Sequence, residues 1–141
     1  RDLHKEYRRQ RQMCIRDRAK VGWTLGIQPY NFLSEFPWVN NHNESVRLIH
    51  SHQDQVTELP SNAELIAKND RVPVAMFRVG DHIMSMQGHP EFSEDYAHDV
   101  ANLRKDILGE KVFSKASQSL MKKDSDRLEG TQWWVDFFSK N

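Results

Sequence analysis

The stretch MSMQGHPEFSEDY, residues 84–96, ends an apolar run at Gly88, sets His89, Pro90 and Glu91 in a row, and then offers the start of a helix. Ser93 is placed to cap that helix, with Glu94 and Asp95 in its first turn, where carboxylates suit the helix dipole. A strand running straight into a helix marks an α/β unit. In an extended chain, residues two apart share a face, so His89 and Glu91 are expected side by side with Pro90 turned away. A carboxylate beside an imidazole fixes one tautomer and stabilises the protonated ring. That is the base-and-orienter half of a nucleophilic triad. Gly88 leaves space for a substrate or a neighbouring backbone, and strand ends of α/β sheets face the crevice where ligands bind. By itself the tripeptide reads first as a histidine closing a strand and a glutamate opening a helix, and the catalytic pair is the minority reading.

Working outward, Tyr96, Val100, Leu103 and Ile107 recur at helical spacing and predict the buried stripe of a helix ended by Gly109. Further helices are expected over residues 111–122 and 124–138. The aromatic tail of the last, Trp133, Trp134, Phe137 and Phe138, reads as core packing, with a partner surface as the alternative. Upstream, residues 74–79 and 82–87 predict a hairpin about a two-residue Gly80-Asp81 turn. Residues 21–27 and 45–52 and the piece AELIAKN read as strands, and Pro60, Ser61 and Asn62 as a turn. The Pro-, Asn- and aromatic-rich segment after residue 27 reads as an irregular connection. Strands come first and helices after, with one clear strand-to-helix unit, which is few for a complete α/β domain.

A second polar cluster, HSHQDQVTELP at residues 50–60, ends a strand in a hydrogen-bond-rich turn. Ser51 offers a hydroxyl there, and the backbone N–H groups of such a turn can hold a carboxylate. His50 and His52 share a face and could instead ligate a metal; a metal protein using them with His82 and His89 stands as an alternative, as does a plain polar turn.

Composition narrows the classes. The 141 residues carry 20 basic and 20 acidic side chains, so nothing in the charge balance predicts a polyanion partner. No apolar run reaches membrane-spanning length, no signal-peptide pattern opens the chain, and one cysteine cannot form an internal disulfide. A cytoplasmic location is the expectation. The balance hides a basic head: residues 1–18 hold seven basic and three acidic side chains. A solvated arm and a nucleic-acid tail are two readings of it. The run QMCIRDR also resembles translated sequencing-adapter read-through from environmental DNA. On that reading residues 1–18 are a non-native leader and residues 19–141 a partial domain.

Taken together, IHSHQDQVTELP, VGWTLGI and PVAMFRVGDHIMSMQGHPEFS resemble the C-terminal part of class I glutamine amidotransferase domains, in the stand-alone subgroup similar to the amidotransferase domain of GMP synthase. The resemblance implies an α/β fold, the C-terminal part of a flavodoxin-like domain with a mixed sheet and C-terminal helices. It implies hydrolysis of the glutamine side-chain amide, or of a related γ-glutamyl bond, through a Cys-His-Glu triad. His89 is then the general base and acid, Glu91 its orienter, and Ser51, Gln53 and Asp54 the turn that holds the substrate's α-amino and α-carboxylate groups. The substrate is a small molecule and the partner an ammonia-accepting synthetase. No cofactor, metal, nucleic acid or membrane is called for. The family's nucleophile sits on a Gly-X-Cys-X-Gly elbow. Cys14 has no glycine on either side and is not expected to serve, so the chain is expected to be inactive alone. A γ-glutamyl peptide or conjugate hydrolase and a non-catalytic interaction module are the alternatives.

Overall fold

The computed structural model of the chain describes residues 15–18, 20–39 and 45–139. Cys14 and most of the basic head lie outside the described residues. Among those described, strands precede helices: β1 (Ile15–Arg18), β2 (Thr24–Phe32), β3 (Val46–His52), β4 (Asp54–Glu58), β5 (Ala63–Lys68), β6 (Met76–Val79), β7 (Ile83–Met86), then α1 (Glu94–Leu103), α2 (Lys105–Leu108), α3 (Glu110–Leu120) and α4 (Arg127–Ser139). Five strands form a sheet in the order β3-β2-β5-β6-β7, with every pair antiparallel. The backbone of β1 pairs separately with β4. This is the α/β architecture with C-terminal helices that the sequence implies.

Burial on both faces accounts for the adjacent apolar residues Leu48 and Ile49 in β3. Leu48 points into a cluster with Tyr30, Ile66, Met76, Trp133 and Phe137 beneath α4. Its neighbour Ile49 points the other way, into a cluster with Ala97 of α1 and Leu120 of α3. Such alternation over two covered faces is what a strand with two apolar layers requires. The start of α4 is tied to β3 from both sides: Arg47 N donates to Asp126 Oδ2 at 2.8 Å, and Asp126 N donates to the Arg47 carbonyl at 2.8 Å. On the opposite face α3 lies close against β2. Gly26 has φ +91°, and a Cβ there would collide with Ser119 Oγ and stand 3.3 Å from Ala116 Cα, so only glycine allows this approach.

Several expectations are corrected. The segment after residue 27, read as an irregular connection with room for a short strand, instead continues β2 to Phe32. Pro29 interrupts the donor pattern but pairs opposite Arg47, and its carbonyl accepts from Asn69 Nδ2 at 2.8 Å, so the strand tolerates it. The hairpin turn spans three residues, Gly80 to His82, because Val79 pairs with Ile83; Gly80 at φ +54° supplies the left-handed step. The polar turn after β3 is only a bend at Gln53, and residues 54–58 form β4.

The stripe expected on the first helix is also out of phase. Tyr96, Leu103 and Ile107 are 53%, 87% and 73% exposed, while Ala97 and Ala101 are buried. Small side chains let α1 sit close to α3 and β3. Tyr96, one residue from Ala97, points about 100° from that contact, and Leu103, two from Ala101, about 200°. The helix also breaks at Arg104, short of Gly109. In α4 the aromatic tail divides: Trp133 and Phe137 are buried in the core, and Trp134 and Phe138 stack on each other further out.

Candidate active site

The segment that carries His89 is pinned by its backbone on three sides. Gln87 N donates to the Ala75 carbonyl at 2.9 Å, Gly88 N to Tyr30 Oη at 2.8 Å, and His89 N to the Ile49 carbonyl at 2.7 Å. Gly88 is buried, and a Cβ on it would stand 2.6 Å from Tyr30 Oη, 3.0 Å from Leu48 Cβ and 3.2 Å from His50 Nε2. Glycine is therefore required for the segment to press against β2 and β3. The burial of Tyr30 raises its phenol pKa far above the ordinary value, against the lowering effect of the Gly88 N–H. The hydroxyl stays a neutral post.

His89 and Glu91 meet, though not through an extended strand. Phe92 N donates to the His89 carbonyl at 3.2 Å, closing a turn with Pro90 and Glu91 at its centre, a position that suits the fixed φ of proline. Pro90 is buried and packs towards α4. His89 Nδ1 lies 2.8 Å from Glu91 Oε1. A carboxylate only accepts, so the His89 proton is on Nδ1 and Nε2 is left to act on a ligand. The ring is steadied from one face by Phe92, stacked at 4.2 Å and 9°.

A cavity of about 540 Å³ is lined by Trp23, Ser51, His52, Gln53, Asp54, Met86, Gln87, His89 and Arg104. It brings together four of the five residues singled out in the sequence: Ser51 at the end of β3, Gln53 at the bend, Asp54 at the head of β4, and His89. Glu91 stands behind His89, outside the lining. The geometry offers a base held in one tautomer beside a polar bend. It can accept and return a proton at Nε2 and hold a small polar ligand next to it. Gln55, one step further on, is buried and serves the scaffold instead: its Nε2 donates to the Arg71 carbonyl at 2.9 Å and to Thr24 Oγ1 at 3.3 Å.

Sequence reasoning missed Trp23, Met86, Gln87 and Arg104 as cavity residues. Gln87 was within reach, one residue beyond β7 and two before His89; Arg104 comes from a helix break with no local signal. His50 and His52, for which metal ligation stood as an alternative, hydrogen-bond to each other, Nδ1 to Nε2, at 2.8 Å. Among the described residues, no group of three or more His, Cys, Asp or Glu side chains gathers as a metal set would.

The family model for glutamine amidotransferase class-I matches residues 3–109. The chain belongs to the class I glutamine amidotransferase family. It is 33% identical over 86 residues to gamma-glutamyl peptidase 3 of Arabidopsis thaliana, covering 60% of this chain and 34% of that protein. With gamma-glutamyl peptidase 4 of the same plant it shares 32% identity over 105 residues, 72% of this chain and 39% of that one. A glutamine-hydrolysing GMP synthase of Phocaeicola vulgatus is 34% identical over 83 residues, 57% of this chain and 16% of that protein. The amidotransferase chain thus spans about a third of the plant relatives it matches. Among solved structures, a glutamine amidotransferase of Thermotoga maritima superposes with a TM-score of 0.63 at 17% identity, over 90% of this chain and 54% of that one. One from Methylobacillus flagellatus gives 0.65 at 10% identity, over 89% and 55%. Those two likenesses support the amidotransferase fold.

Proposed function

We propose that the chain contributes the histidine–glutamate half and the substrate-holding bend of a glutamine amidotransferase. In this reading a cysteine thiolate attacks the side-chain amide of glutamine, ammonia leaves, and water cleaves the γ-glutamyl thioester. His89 Nε2 takes the proton of the cysteine thiol and gives it to the departing ammonia; it then takes a proton from the attacking water and returns it to the cysteine sulfur as the thioester breaks. Glu91 holds Nδ1–H and stabilises the charged ring. Ser51, Gln53 and Asp54 hold the α-amino and α-carboxylate groups, and the released ammonia goes to a synthetase partner. The observation that carries this is the 2.8 Å His89–Glu91 pair opening on the same cavity as the bend at residues 51–54.

Cys14 is not the nucleophile in this reading. It is the chain's one cysteine and lies between Met13 and Ile15, without the glycines that a strained elbow needs. Residues 1–18 likewise contribute no chemistry. The second reading keeps the chemistry and replaces ammonia by the amine of a γ-glutamyl peptide or conjugate; the plant relatives named as γ-glutamyl peptidases favour it.

Two measurements test the assignment. Titrating the labelled chain with L-glutamine, and separately with a γ-glutamyl dipeptide, should shift the amide resonances of residues 51–54 and 87–89. Shifts spread elsewhere would sink the site, and the tighter ligand separates the two readings. A coupled ammonia assay on the purified chain should show no release from glutamine. Release abolished by Cys14→Ser would overturn the claim that this cysteine is a bystander.

A further inference from the structure

Behind His52, which lines the cavity, lies a buried imidazole bonded to it that the proposed chemistry does not use. His50 has no exposed surface. Its Nδ1 lies 2.8 Å from His52 Nε2, and His52 Nδ1 lies 3.0 Å from the Asp54 carbonyl oxygen. A carbonyl only accepts, so His52 carries its proton on Nδ1. Neutral His52 then presents a lone pair at Nε2, and His50 Nδ1 must donate to it. His50 is thereby fixed as the Nδ1–H tautomer with a bare lone pair at Nε2. That atom is buried and has no hydrogen-bond partner among the described residues, and it lies against Gly88, next to His89. The reversed chain fails, because it would turn a His52 lone pair towards the carbonyl oxygen.

We propose that His50 is a positioning residue: the proton it donates to His52 locks that ring, and through it the Asp54 carbonyl, into one neutral geometry in the cavity wall. Any added proton on the pair ends as an N–H at His50 Nε2, where nothing among the described residues accepts it. The groups facing His50 are Tyr30 on β2, with ring centroids 5.6 Å apart, His52 and Asp54 further along its own segment, and His89 with Glu91 beyond Gly88. Burial first, then His52 and His89, hold the His50 ring well below its ordinary pKa. The purpose rests on the reading of the cavity as a glutamyl site. A neutral wall admits the substrate's α-ammonium group, which a charged imidazole would repel.

The test is a two-bond proton–nitrogen correlation spectrum of the imidazoles, recorded on the whole chain at neutral pH. His50 and His52 should both appear as neutral Nδ1–H tautomers. An Nε2–H tautomer at either ring, or a charged His50, overturns the proposal. His50→Leu removes the donor, and His52 should drift towards the Nε2–H form that free imidazole prefers. His50→Asn, whose amide can stand where Nδ1 stood and donate, should restore the Nδ1–H signature. A pure Nδ1–H signature for His52 in His50→Leu would show that His50 does not set it. Should His50→Leu not fold, the native spectrum and His50→Asn still decide. None of these spectra needs substrate, so they stand or fall apart from the glutamine titration.

Discussion

His89 gives its Nδ1 proton to a carboxylate whose side chain is 63% exposed, while His50 gives its own to another imidazole at a position with no exposed surface. Both pairs use the same two-residue spacing, both bonds measure 2.8 Å, and Gly88 is wedged between the two regions. What differs is the medium and the partner. Glu91 can offset a second proton on its ring, and water reaches both groups. The His50 ring is fully buried beside another imidazole, and burial disfavours its charged form. The lesson is that hydrogen-bond geometry alone does not make an imidazole a base. In the proposed chemistry, exposure and a carboxylate suit His89 to proton transfer, while their loss suits His50 to the part of a fixed strut.

The largest expected effect comes from the platform that both regions share. Leu48 is fully buried beneath Gly88 and against Gly130 of α4. Leu48→Ala should lower the unfolding free energy by about 2–5 kcal/mol, the range for a leucine truncated in a packed core. Urea unfolding followed by tryptophan fluorescence checks it, since Trp133 lies in the same cluster. A loss under about 1 kcal/mol would mean that the two histidine regions do not rest on a common rigid floor.

How much of this was legible in the sequence follows from what each signal depends on. The His89–Glu91 pairing was readable because it is local, although a turn and not an extended strand produces it. The polar bend at Ser51 to Asp54 was readable from its run of hydrogen-bonding residues, and the structure lines a cavity with it. Its continuation as β4 was not, because among the described residues that strand pairs with the distant β1 backbone. The phase of α1 was misread for a related reason. Large apolar residues outweigh alanines in any hydrophobic period, but close packing against α3 selects Ala97 and Ala101. Nor could the sequence show His50 as buried and bonded to His52, since its burial is made by Tyr30 and Gly88, residues far from it in the chain.

A smaller effect, of one sign only, separates the regions by pH. The folded-state pKa of His50 lies below its unfolded value of about 6.5. In acid the unfolded chain therefore binds a proton that the folded chain refuses. Stability from this group is fully present above the unfolded pKa and is lost as pH falls below it, by at most about 1.4 kcal/mol per pH unit. The difference in unfolding free energy between the native chain and His50→Asn should be flat above pH 7 and should shift against the native chain between pH 6.5 and 5. A difference that stays flat through that range would show that His50 takes up its proton while folded, and the contrast with His89 would collapse.

The smallest expected effect is at the other pair. Glu91→Gln keeps an oxygen that can accept from His89 Nδ1–H but removes the charge. With side chains 32% and 63% exposed, the pair is screened by water, and pairs of this kind contribute about 0.2–1 kcal/mol. Unfolding free energy should thus change by less than about 1 kcal/mol, with the His89 proton still on Nδ1 in a two-bond correlation spectrum. Measured in acid with the ring protonated, the residual change should shrink further at high salt, since only then is the contact an exposed ion pair. A loss above about 2 kcal/mol, insensitive to salt, would make the His89 turn a structural element like the His50 chain. The division between a base and a strut would then have to be drawn elsewhere. If the small value holds, Glu91 is kept at a cost in exposure that folding does not reward, as expected of a carboxylate whose work is to orient and charge-balance the imidazole in front of it.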